Sequence, residues 1–96
     1  MANFQTTHNK GFKITFQNDI TISVQFGQGN YCENRNTPQN SGITTCENAE
    51  IAIFDEEGGW HVFDNGDTVL GWQNPDEVAK WIEKCSQANN LSKITN

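Results

Sequence analysis

Residues 12–16 alternate strictly, with Phe12, Ile14 and Phe16 on one face and Lys13 and Thr15 on the other, which is the pattern of a half-buried strand. Residues 20–26 repeat it, Ile20, Ile22, Val24 and Phe26 alternating with Thr21, Ser23 and Gln25. Gln17-Asn18-Asp19 between them tolerates the positive φ of a tight reversal, so a β-hairpin is expected over 12–26. The next stretch, 27–45, is crowded with Gly, Asn, Ser and Pro and predicts a long exposed loop. Pattern returns at 49–54, where Ile51 and Ile53 share a face, and at 60–63, with Asp55-Glu56-Glu57-Gly58-Gly59 as an acidic turn between them. A second hairpin is expected there, then a turn at Asp64-Asn65-Gly66-Asp67 and a short strand at 68–72.

A helix follows. Asn74 is placed to cap it, Pro75 suits its first position, and Glu77 stands three residues after the cap as in a capping box. Val78, Trp81, Ile82 and Cys85 then recur at i, i+3, i+4 and i+7, one apolar stripe to lay on the sheet. The fold class expected is therefore α+β: a small antiparallel sheet of four to five strands in two hairpins, packed by one C-terminal helix. The chain of 96 residues reads as one domain, with an ordered core over 11–86, a flexible leader at 1–9 and a fraying, Asn- and Ser-rich tail at 87–96.

Composition adds that the core is aromatic-heavy, since apolar residues are 34% of the chain but include six Phe, three Trp and one Tyr. The polar first ten residues carry no export signal, and no apolar run approaches the roughly 20 residues of a membrane helix. A cytoplasmic location and three free thiols are the expectation. Net charge is −6. Between Asn36 and Ala79 lie nine acids and no Lys or Arg, which predicts one strongly negative region and disfavours direct nucleic-acid binding.

Candidate chemistry is sparse, and no enzyme activity, cofactor or metal is expected. Cys32, Cys46, Cys85, His8 and His61 lack the close ligand pairs of a zinc site. A Cys32–Cys46 bridge would close a loop of about 14 residues, contributing roughly 3 kcal/mol in the chain-entropy model; the simpler reading is two reduced thiols pinning the loop ends. Acidic neighbours raise thiol pKa values, which argues against a cysteine nucleophile. His8 falls in the flexible leader, and His61 reads as pointing to solvent. The oxygen-rich turns at 55–57 and 64–67 match no calcium loop, and Gly27-Gln28-Gly29 opens no helix. Trp81 is assigned to the core, Trp72 to a staple at the helix start, and Trp60, beside the acidic turn, to the core in preference to an exposed anchor.

Taken together, Gly11-Phe12-Lys13-Ile14-Thr15-Phe16, Ile22-Ser23-Val24-Gln25-Phe26-Gly27, Gly29-Asn30-Tyr31-Cys32, Cys46-Glu47-Asn48-Ala49-Glu50-Ile51-Ala52, Gly66-Asp67-Thr68-Val69 and Pro75-Asp76-Glu77-Val78-Ala79 resemble a group of short phage and prophage proteins of unknown function, over roughly residues 4–84. The resemblance assigns no site residue. It implies a setting, that of small accessory proteins that bind and block a host protein such as a defence or nucleic-acid-handling protein. The first expectation is thus an inhibitor whose contact residues are Glu47, Glu50, Asp55, Glu56, Glu57, Trp60, Asp64 and Asp67, facing a basic host surface. The second is a binder or sponge for a small, nucleotide-like ligand, with Tyr31, Arg35 and a tryptophan meeting at an oligomer interface; Arg35 is the only arginine. The third is a virion or assembly component.

Overall fold

A computed structural model describes residues 2–8 and 10–96. Five strands, β1 (Asn3–Thr6), β2 (Gly11–Thr15), β3 (Ile20–Gln25), β4 (Ala49–Asp55) and β5 (Leu70–Gln73), form one antiparallel sheet in the order β1-β2-β3-β4-β5. The helix α1 (Pro75–Gln87) packs on one face, giving the expected α+β fold. The first hairpin forms as its alternation dictates, Phe12 opposite Val24 and Ile14 opposite Ile22. Its loop closes through Phe16 N to Ile20 O at 2.9 Å, with Asp19 at φ +65°, the left-handed residue that a three-residue hairpin loop needs.

Period two decides which residues meet the helix. Ile20, Ile22 and Val24 of β3 and Ala49, Ile51 and Ile53 of β4 are buried with Val78 and Cys85 of α1, while Trp81 and Ile82 close over them. Each fully buried isoleucine contributes about 2–3 kcal/mol of transfer free energy. α1 starts with a complete capping box: Asn74 Oδ1 accepts from Glu77 N at 2.8 Å, and Glu77 Oε1 accepts from Asn74 N at 2.9 Å. Its far end is tied to the first hairpin. Asn18 Nδ2 donates to Cys85 O at 2.8 Å and Ala88 O at 2.7 Å, satisfying carbonyls that the helix leaves without intrahelical partners.

The structure corrects the expected boundaries. The leader carries β1, which pairs with β2 through its backbone although all four of its side chains are exposed. The strand expected at 60–63 is reduced to a single bridge, Phe54 opposite Trp60, plus His61 N to Ile53 O at 2.8 Å. The physical reason is competition for one edge: β5 takes the start of β4, Leu70 lying opposite Ile51 and Gln73 opposite Ala49. That register leaves one extra residue on β5, a bulge at Gly71–Trp72. The tail does not fray. A short 3-10 helix at Leu91–Lys93 is followed by Ile94, only 7% exposed in the core, and by Asn96, whose Oδ1 lies 2.6 Å from His61 Nε2.

Among the described residues no helix is long and apolar enough to cross a membrane.

Candidate functional site

The acid block does not form one uniform surface, because Glu50, Asp55 and Asp67 have local duties. Glu50 is half-buried: Oε2 accepts from Tyr31 N at 2.9 Å and Oε1 from Asn30 Nδ2 at 3.3 Å, so it anchors the long loop on the sheet. Asp55 Oδ1 accepts from Glu57 N at 3.0 Å and Gly59 N at 2.8 Å and thereby builds its own turn. Asp67 Oδ1 accepts from Thr68 N at 2.6 Å. Glu47, Glu56, Glu57 and Asp64 are exposed. Glu47 stands near the start of β4, beyond Glu50, and 55–57 stand at its end, so the strand separates the block into two parts.

At the end of β4 three of the eight expected contact residues, Asp55, Glu57 and Trp60, line one cleft. Trp60 is not core: it is 49% exposed, its ring 4.8 Å from that of Phe54 at a tilt of 39°. Trp60, Asp55 and Glu57 line a cleft of about 520 Å³ whose far wall is Leu91, Ser92 and Ile94. Gly59 permits this closeness, since a Cβ there would stand 3.0 Å from Asp55 Oδ2 and 3.1 Å from Leu91 Cδ2. His61 also lines the cleft, and it too departs from expectation. It is 8% exposed, packed edge-on to Phe63 at 4.9 Å and beside Trp81 at 5.9 Å. An amide oxygen only accepts, so the His61 nitrogen facing Asn96 Oδ1 carries the proton.

The second expected pair is also brought together. The Arg35 guanidinium carbon lies 4.5 Å from the Tyr31 ring centroid. Tyr31 in turn sits directly on Gly71, where a Cβ would come within 2.5 Å of the Tyr31 Cβ. Trp72 N donates to Tyr31 O at 2.9 Å, which places the Trp72 backbone beside that of Tyr31. Trp72 is no staple: it is 56% exposed and holds φ at +59°, a conformation rare for a bulky residue. Neither feature is visible in alternation or charge; Gly71 within a strand pattern is the one sequence signal of a bulge there.

Cys32 is buried and Cys46 half-buried at the two sides of the loop, both as free thiols, and Cys32 Sγ donates to Gly27 O at 3.7 Å. Burial, with smaller contributions from Cys46 and Glu50, pushes the Cys32 thiol up to about 11, against the opposing hydrogen bond of the Asn34 backbone. Burial likewise pushes Cys85 up to about 12. Thiols held protonated in this way are poor nucleophiles. Among the described residues no three His, Cys, Asp or Glu side chains group as a metal site requires.

Comparison with family models, with curated proteins and with solved structures gives no match in any of the three.

Proposed function

We propose that the chain is a non-catalytic interaction protein that docks a basic surface of a partner macromolecule onto the edge made by Asp55, Glu56, Glu57 and Trp60, and blocks that partner. The observation that carries this reading is the half-exposed Trp60 stacked on Phe54 in a cleft walled by Asp55 and Glu57. Solvated turns need no aromatic. An exposed indole next to unshielded carboxylates supplies both components that bind a Lys or Arg side chain: Coulomb attraction from the acids and cation–π attraction from the ring. Aromatic anchors flanked by polar rims are also where binding energy concentrates in protein interfaces.

The resemblance to phage accessory proteins is the support for a host protein that handles nucleic acid or serves in defence as the proposed partner. A protein of charge −6 with no cation between Asn36 and Ala79 then competes for a groove that would otherwise take a phosphate backbone.

The test uses the full chain as bait in a host lysate, washed at low and high salt. A stoichiometric basic protein released by salt supports the proposal. A complex indifferent to salt, and unchanged by Trp60→Ala, would sink it.

A further inference from the structure

The loop 27–45 folds back on Phe26, just past the end of β3, and the two enclose a cavity of about 460 Å³. Small-ligand sites fall in the range of roughly 300–1,000 Å³. The walls are braced. Asn34 Nδ2 donates to Phe26 O at 3.3 Å and to Thr45 O at 2.9 Å, which joins the two ends of the loop. Gln39 N donates to Gln28 Oε1 at 3.1 Å, and Gln39 Nε2 donates to His8 O, which ties the loop to the segment between β1 and β2. A ligand therefore meets a preformed site, and binding does not have to order the loop.

The lining sets the class of ligand. Among the described residues no Asp, Glu, Lys or Arg lines the cavity, so an ion finds no counter-charge there. Its polar side chains are amides and hydroxyls with capacity to spare. Gln28 Oε1 is taken by Gln39, which leaves Nε2 to donate; Asn34 Nδ2 is taken twice, which leaves Oδ1 to accept. The side chains of Thr37, Asn40 and Thr44 hydrogen-bond no protein group among the described residues. Donors and acceptors thus line one cavity, the mixture that matches hydroxyls, which do both. Phe26, Pro38 and Ile43 supply its apolar part. Ile43 is 59% exposed and outside the core cluster, so core packing does not account for its place. A hexopyranose has both halves, a rim of neutral hydroxyls and a face of C–H groups. A flat base would need a free aromatic face, and Phe26, the one aromatic lining the cavity among the described residues, is half-buried against the core.

We propose that this cavity binds a neutral hexopyranose, its hydroxyls on Gln28, Asn34, Thr37 and Asn40 and its C–H face on Phe26 and Ile43. The cleft at Trp60 shares no lining residue with it, so the site stands independently of the docking edge.

The experiment titrates the isotope-labelled full chain with glucose, galactose, mannose and N-acetylglucosamine, followed by the backbone and side-chain amide NMR shifts. Glucuronate, a hexopyranose bearing a carboxylate, and the free nucleosides are controls. The expected result is saturable binding of at least one neutral sugar, with the largest shifts at Gln28, Asn34, Thr37 and Asn40 and weaker binding of glucuronate. Asn40→Ala should weaken it roughly 2- to 10-fold, the loss of one net hydrogen bond. Ile43→Ser should weaken it to a similar extent, roughly 2- to 10-fold, through lost apolar contact. Both side chains are exposed, and melting confirms that both variants are folded. No saturation by any of the four sugars up to about 10 mM, shifts confined to residues outside the cavity, nucleosides binding tighter than every sugar, or affinity unchanged in both folded variants overturns the proposal.

Discussion

Replacing Ile94 by Ala tests whether the last residues belong to the fold. Ile94 is 7% exposed within the core cluster, next to Leu91 and close to the His61–Asn96 contact. The substitution removes three carbons from a buried site, a transfer loss of about 2.4 kcal/mol at ~0.8 per carbon. A residual cavity adds to that, within the ~2–5 kcal/mol span of such truncations. For a chain of this size each kcal/mol moves Tm by about 4–8 °C, so a loss of ~3 kcal/mol predicts a drop of roughly 12–24 °C. Urea titration followed by tryptophan fluorescence should show a lower midpoint with the same slope, because the extent of unfolding is unchanged. A variant that melts within a degree or two of the parent would refute the reasoning and mean that residues 91–96 do not dock.

Two further outcomes follow from single contacts. Gly71→Ala places a Cβ 2.5 Å from that of Tyr31, so the loop must move; a destabilisation of about 1–3 kcal/mol in thermal or urea melts is expected, and an unchanged melt would show that Tyr31 does not sit on β5. Cys85, raised from 9.0 to about 12 by burial, adds stability that is fully present below pH 9 and lost as pH climbs toward 12, because the unfolded thiol ionises first; Cys85→Ala should flatten that part of the stability profile, and a decline of equal steepness in the variant would assign it to other groups.

What the sequence made legible was whatever has a buried face. The hairpin over 12–26 and the stripe Val78, Trp81, Ile82, Cys85 announce themselves because one side of each meets the core, and Asn74 with Glu77 because capping is local chemistry. β1 was hidden for the converse reason: an edge strand held by backbone bonds, with every side chain exposed, imposes no hydrophobic period. The tail was misread because two apolar residues, Leu91 and Ile94, among Asn and Ser give no periodic signal, while their docking depends on a groove that exists only once the sheet and Gly59 are in place.

The candidate sites divide similarly. Clustering of acids was visible, but not that Glu50 and Asp55 would be engaged in holding the loop and their own turn, leaving Glu56 and Glu57 beside Trp60 as the free part. Arg35 and Tyr31 are expected to meet with a tryptophan at an oligomer interface, whereas their stacking lies within one chain. That the Trp72 backbone meets Tyr31 at positive φ follows from a one-residue register shift between β4 and β5 that alternation cannot report.

Affinity for the partner captured from lysate, measured by calorimetry for the parent chain and for the double variant Glu56→Lys/Glu57→Lys, bears most directly on the docking edge. Both side chains are exposed and make no hydrogen bond that builds the turn, so the fold should be unaffected. The account predicts at least about a tenfold loss of affinity at low salt, shrinking as added salt screens the charges. Equal affinity of the two proteins at every salt concentration would contradict it.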